Sequence, residues 1–160
     1  GYTAVQLSAV GAMDGDGGGA AVDAALARRM LDDNGLTCAA THRGWANLRD
    51  HTDREIAFHH ALGCRFVAIG GLPGDYAADG ADGYRRFVSD AAPVIACLKD
   101  AGIGFGYHNH AYEFARAVPG SRSTLWDIFV NEGGADFLLE PDLYWAWHAG
   151  VDPVDVLRAG

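Results

Sequence analysis

The segment Gly104-Phe105-Gly106-Tyr107-His108-Asn109-His110 is dense in imidazole. On a strand, His108 and His110 point the same way, because side chains repeat every two residues. Two neutral imidazoles with the carboxylate of Asp142 make a reasonable set for a borderline divalent metal such as Mn²⁺, Co²⁺ or Zn²⁺. The plainer reading is that one of these histidines only hydrogen-bonds a neighbouring loop. Asp142 follows Pro141, which fixes the backbone at that point. Its carboxylate either coordinates a metal or caps a helix that begins at Leu143. Glu140 next to it is a further ligand candidate, or a residue of the sheet wall.

Aromatic residues surround these groups. Trp145 and Trp147 form a cluster with Tyr144, and Trp45 follows His42. Such faces suit the C–H faces of sugars, although aromatic clusters more often belong to a core. His59 and His60 fall inside a helical stretch, and His51 and His148 lie at or near helix ends; surface or packing roles are expected for all four. No GxSxG elbow is present, and Gly70-Gly71-Leu72-Pro73-Gly74 lacks the Lys-Ser/Thr ending of a phosphate loop.

The elements that must position these residues alternate in kind. Thr3–Ser8, Leu36–Thr41, Phe66–Gly70, Ile103–His108 and Ala135–Glu140 are short apolar runs, as expected of parallel strands buried on both faces. Between them, Ala20–Asp33 carries Val22, Leu26 and Met30 as an apolar stripe. Thr52–Leu62, Asp82–Asp100 and Ser123–Glu132 are further helices, and a last one starts at Asp152-Pro153. Pro93 predicts a kink or break in its helix. Three times a helix ends on glycine and a strand restarts, at Gly35, Gly63 and Gly102. Gly11–Gly19 reads as a flexible loop within a single unit, residues 1–160.

This βα repetition allows an open doubly wound sheet or part of a barrel. The ordered GxGxxG fingerprint of a dinucleotide fold is missing after the first strand. The strand C-termini, by contrast, present Gln6 and Ser8, His42, Gly70-Gly71, His108 to His110, and Glu140 with Asp142. Polar groups gathered at the C-terminal face favour the barrel, where active sites form at that end.

The 49% hydrophobic content and 160 residues fit a globular chain with one core. The net charge of −9 is spread along the chain and argues against nucleic acid or an anionic membrane as partner. No apolar run approaches membrane-spanning length and no secretory leader opens the sequence, so a cytoplasmic location is expected. Cys38, Cys64 and Cys97 sit in apolar stretches and read as buried, reduced thiols.

The stretches GYTAVQLS, LGCRFVAIGGLPGDY, AGIGFGYHNHAYEF and LLEPDLYWAWHAGVDP, in order over nearly the whole chain, resemble the xylose isomerase-like sugar phosphate isomerase/epimerase family. The resemblance implies a (β/α)₈ TIM barrel, of which this chain covers about five central βα units of an incomplete barrel. It implies a divalent metal (Mn²⁺, Co²⁺, Mg²⁺ or Zn²⁺) held at strand ends. Asp142 matches one ligand, and His108 stands where related branches often carry a carboxylate. The implied chemistry is isomerisation or epimerisation of a sugar, sugar phosphate or keto-polyol through an enediolate. On that reading His108 and Asp142 bind metal, and His108 and Glu140 are the catalytic candidates. His42, His110, Trp145 and Trp45 would contact substrate. An inosose-type dehydratase and a noncatalytic sugar-binding barrel are the alternatives, and a repair endonuclease is disfavoured by the missing basic surface. The first strand and the last two are expected outside this segment. Taken alone it should be inactive, with open edges that favour pairing; self-association into a homo-oligomer is one way to complete such a barrel.

Overall fold

A computed structural model describes residues 1–8 and 22–159. The Gly11–Gly19 loop expected from sequence lies outside the described residues.

Glycines end the helices as their placement predicts. Gly35, Gly63 and Gly102 have φ of 65°, 73° and 75°, a left-handed conformation that costs other residues a Cβ clash. Each turns the chain from a helix into the next strand. The strands are β1 (Ala4–Ser8), β2 (Thr37–His42), β3 (Phe66–Ile69), β4 (Gly104–His108) and β5 (Phe137–Glu140). Between β1 and β2 lies α1 (Ala24–Asp33), and α2 (Trp45–Asp50) and α3 (Thr52–Leu62) precede β3. α4 (Gly74–Ala77) and α5 (Gly80–Asp100) precede β4, and α6 (Leu125–Glu132) precedes β5. α7 (Leu143–His148) and α8 (Pro153–Ala159) follow it.

All strand pairs are parallel and the order is β1-β2-β3-β4-β5. A doubly wound sheet reverses its order at a switch point. Strictly sequential order is the arrangement of a barrel, here as an arc of successive βα units.

The core lies between the outer face of the sheet and the helices. Phe105 and Tyr107 of β4 and Phe137 of β5 pack on Phe87 and Leu98 of α5 and Phe129 of α6. The other β4 residues point inward. A Cβ on Gly106 would fall 2.5 Å from the Phe66 ring, so glycine there makes room for an aromatic laid across the inner face.

β2 contains a bulge. Val5 pairs with Cys38 but Gln6 pairs with Ala40, leaving Ala39 unpaired. Cys38 packs on α1 with Ala24 and Ala27, and Thr41 bonds His59 on α3. Three positions apart, both reach the helical side only because of the extra residue, and His42 is thereby delivered to the inner face.

Four expectations need correction. Met30 is half exposed, and α1 buries Ala24 and Ala27, because the bulky stripe lies one position round from the small residues that approach the sheet. α5 does not break at Pro93 but runs through it as one element: Pro93 and Ser89, whose carbonyl loses its partner, are both exposed, where water can replace the bond. Cys97 is exposed on α5, whereas Cys38 and Cys64 are buried. β1, β2 and β5 are not buried on both faces: Gln6, Ala39 and Leu138 are exposed. No helix among the described residues is long and apolar enough to cross a membrane.

Candidate active site

The strand register builds the site. His108 of β4 is paired with Glu140 of β5, which sets the two side chains together on the inner face. His42, at the end of β2, is separated from them by β3. The position between is Gly70, where a Cβ would sit 3.2 Å from His42 Nδ1. With no side chain there, the His42 and His108 rings approach across the gap to 4.9 Å between centroids.

Glu140 is the centre. Its Oε1 accepts hydrogen bonds from Gln6 Nε2 at 2.8 Å and His42 Nε2 at 3.2 Å, and lies 3.8 Å from His108 Nδ1. Its other oxygen, Oε2, is buried and has no hydrogen-bond partner among the described residues. Burial alone would push this carboxyl up; the bonds from His42 and Gln6 and the nearby imidazoles outweigh it and hold it below its ordinary range. Burial, reinforced by His42, pushes His108 down. At neutral pH the pair is therefore carboxylate and neutral imidazole, the forms that ligate metals.

His42, His108 and Glu140 each offer a ligand atom, all within 4.8 Å of one another. An anionic carboxylate oxygen left without a partner beside two imidazoles suits a borderline divalent cation. Asp142 divides its oxygens: Oδ1 caps α7 by accepting from Trp145 N at 3.0 Å, and Oδ2 lies 3.9 Å from His108 Nε2. The cap and a place beside the cluster thus coexist in one side chain.

The other expected residues separate into two groups. His110 lies against the cluster, 5.0 Å from the His108 ring, 5.3 Å from Trp145 and stacked on Tyr112 at 5.4 Å. Trp45 does not join it. It is buried in the core against Phe87 and Phe105, on the helical side of the sheet, because α2 begins immediately beyond β2. No sugar can stack on it there. His59 is fully buried, a packing residue that bonds Thr41 and the Glu55 carbonyl, while His60 is exposed. His148 stacks with Tyr144 at the end of α7.

Over residues 1–160 the sequence matches the xylose isomerase-like TIM barrel family. The chain belongs to that family. Among solved structures it is similar to a sugar phosphate isomerase/epimerase from Parabacteroides distasonis, with a TM-score of 0.81 at 21% identity over 99% of this chain. It is also similar to a D-tagatose 3-epimerase-like protein (TM-score 0.61, 12% identity, 99% of this chain). A xylose isomerase domain protein from Planctomyces limnophilus aligns at a TM-score of 0.57 and 13% identity over 98% of this chain. The chain spans 63%, 62% and 60% of those three chains, respectively. At these identities the likeness is one of fold. No functionally curated protein is a significant match to the sequence.

Within this family frame, three residues without an assigned role prove to shape the site. Gln6 reaches Glu140 from the far edge of the sheet. Asn109 is fully buried behind His108. Glu113, also fully buried, accepts from Tyr107 Oη at 2.5 Å and from the His110 backbone N–H at 2.9 Å, and so fixes the turn that carries His110. Burial pushes the Glu113 carboxyl up. Polarity at a strand end pointed to Gln6 and Asn109; no local pattern distinguishes Glu113 from surface loop residues. A cavity of about 530 Å³ at the β5 edge is lined by apolar residues such as Leu138, Pro141 and Val156 and holds none of the clustered ionisable groups.

Proposed function

We propose that this chain carries part of the active site of a metal-dependent isomerase or epimerase acting on a sugar, sugar phosphate or keto-polyol. The observation that supports the reading is the convergence of His42, His108 and Glu140 at the strand C-termini, with Asp142 beside them. These four residues would hold the metal. A divalent cation supplies Lewis acidity there, polarising a carbonyl and acidifying the neighbouring C–H.

The remaining work falls to the chain's own groups. Glu140 would also move the proton: with one carboxylate oxygen given to the metal, the other would take a proton from substrate carbon and return it to the adjacent carbon or the opposite face. Proton removal alpha to a carbonyl and its return through an enediolate is the chemistry of isomerisation and epimerisation alike. His110 supplies a polar edge for substrate hydroxyls, and Trp145 a ring face for C–H groups.

The test is exchange in D₂O. Ketoses, their phosphates and keto-polyols are incubated with the protein and Mn²⁺, Co²⁺, Mg²⁺ or Zn²⁺, and products are followed by NMR and mass spectrometry. Deuterium at the carbon beside the carbonyl with product mass otherwise unchanged supports the proposal. A product lighter by one water assigns an inosose-type dehydratase instead. Saturable binding without exchange with any metal assigns a noncatalytic sugar-binding barrel. The proposal fails if no metal binds and replacing His108 and Asp142 changes nothing.

A further inference from the structure

Asn109 follows His108 at the end of β4 and is fully buried, and its amide is engaged on both atoms. Oδ1 accepts from the Asp142 backbone N–H at 2.7 Å. Nδ2 donates to the Asp142 carbonyl at 3.2 Å and to the His110 carbonyl at 3.3 Å. The β4–β5 ladder ends at the His108–Glu140 pair. Pro141 comes next and has no N–H to offer, so the main chain cannot continue the ladder. A primary amide presents one acceptor and two donors in the same plane as a peptide group. Asn109 thus acts as a substitute strand partner, holding both polar groups of the Asp142 backbone after the strand itself has stopped.

We infer that Asn109 is a positioning residue: it fixes the exit of β5 so that the Asp142 carboxylate is presented to His108. With the Asp142 backbone held on both sides and Oδ1 committed to the Trp145 N–H, the remaining oxygen has little freedom, and it lies 3.9 Å from His108 Nε2. Alanine would release the backbone; aspartate would keep the shape but lose both donors. This inference rests on the metal-site reading above and assigns Asn109 no contact with substrate or metal.

The experiment is a double-mutant cycle read by Co²⁺ binding, using calorimetry and the visible absorption of the bound ion, on the full chain. Asn109→Ala, Asp142→Ala and the double variant are compared with the parent, and Asn109→Ser provides a second route should the alanine variant fold poorly. Thermal unfolding is recorded for each, and binding is measured well below every midpoint. Asn109→Ala should weaken Co²⁺ about 10- to 100-fold, the range for residues that orient a ligand. In the Asp142→Ala background the same change should cost nothing further, because its effect runs through Asp142. Full additivity, or unchanged affinity in Asn109→Ala or Asn109→Ser, overturns the inference. So does unchanged affinity in Asp142→Ala, which leaves a metal site of His42, His108 and Glu140 intact. If the parent chain binds no Co²⁺, the metal-site reading falls and this inference with it.

Discussion

Gln6 and Glu140, on the two outermost strands of the sheet, are joined by a 2.8 Å hydrogen bond across its inner face. In a flat sheet, strands β1 and β5 would stand roughly 19 Å apart at about 4.8 Å per strand, beyond the reach of two side chains. The bond therefore reports strong curvature: the arc bends far enough to bring its edges together over the polar cluster.

Replacing Gln6 with Ala removes one of two hydrogen bonds that hold Glu140 Oε1. Stability should change by no more than about 1 kcal/mol, since the bond is exposed. Divalent-metal affinity should fall by about 10-fold, because the carboxylate is then oriented by the His42 bond alone. Parallel urea unfolding and Co²⁺ titration separate the two effects; equal affinity would leave Gln6 with no part in the site.

His108→Ala and Glu140→Gln should each weaken Mn²⁺ or Co²⁺ binding by at least about 100-fold, more than the loss of an orienting partner. His148→Ala, at the end of α7, should leave affinity unchanged. Isothermal titration of the three variants against the parent decides the matter.

Gly106→Ala places a methyl 2.5 Å from the Phe66 ring. The expected cost is about 1–3 kcal/mol, the range for an overpacked interior. Adding Phe66→Leu should recover part of it. Denaturant midpoints of the single and double variants are the measurement, and a midpoint unchanged in Gly106→Ala would refute the packing argument.

Arg43 and Glu55 form a buried ion pair with two hydrogen bonds of 2.8 Å, linking the end of β2 to α3. Glu55→Ala would take both of these hydrogen bonds and the compensating charge from a buried guanidinium and should cost about 3–5 kcal/mol. The double change Arg43→Met with Glu55→Leu should be far milder, as measured by chemical unfolding.

His59 gives stability a pH dependence of defined sign. Its Nδ1–H donates to the Glu55 carbonyl, so Nε2 accepts from the Thr41 hydroxyl, and burial lowers the folded pKa. The unfolded chain binds a proton near pH 6.5 and the folded chain only below that. Stability should therefore be full above about pH 6.5 and fall as the pH drops towards the folded value. Glu113, raised by burial, acts in the opposite sense at acid pH. The difference between the parent and His59→Gln isolates the histidine; parallel curves from pH 7 to 5 would contradict the assignment.

Much of the fold was legible because its signals are local. Glycines at 35, 63 and 102 mark helix ends, and the runs before His108 and Glu140 are strands by composition alone. The face on which His42, His108 and Glu140 gather followed from the polar residues at strand ends. What escaped depends on relationships between elements. Trp45 looked available beside His42, but α2 starts at that residue and turns it into the core. The meeting of His42 with His108 needs an empty position at Gly70, and the contact between Gln6 and Glu140 needs curvature that no single segment encodes. Asn109 counted among the polar strand ends, but its role and that of Glu113 were hidden, because their partners include backbone groups fixed only by the fold.

The unpaired Ala39 makes residue count in β2 matter as much as residue identity. A substitution at this position should be well tolerated, since Ala39 is exposed and unpaired. A one-residue deletion there is a different event. It would leave composition and hydrophobicity almost untouched while putting the anchoring cysteine and the histidine out of phase, so that one of them must face the wrong way. Natural variation in this strand should therefore show exchanges at position 39 but no loss of it in any relative that retains both Cys38 and His42.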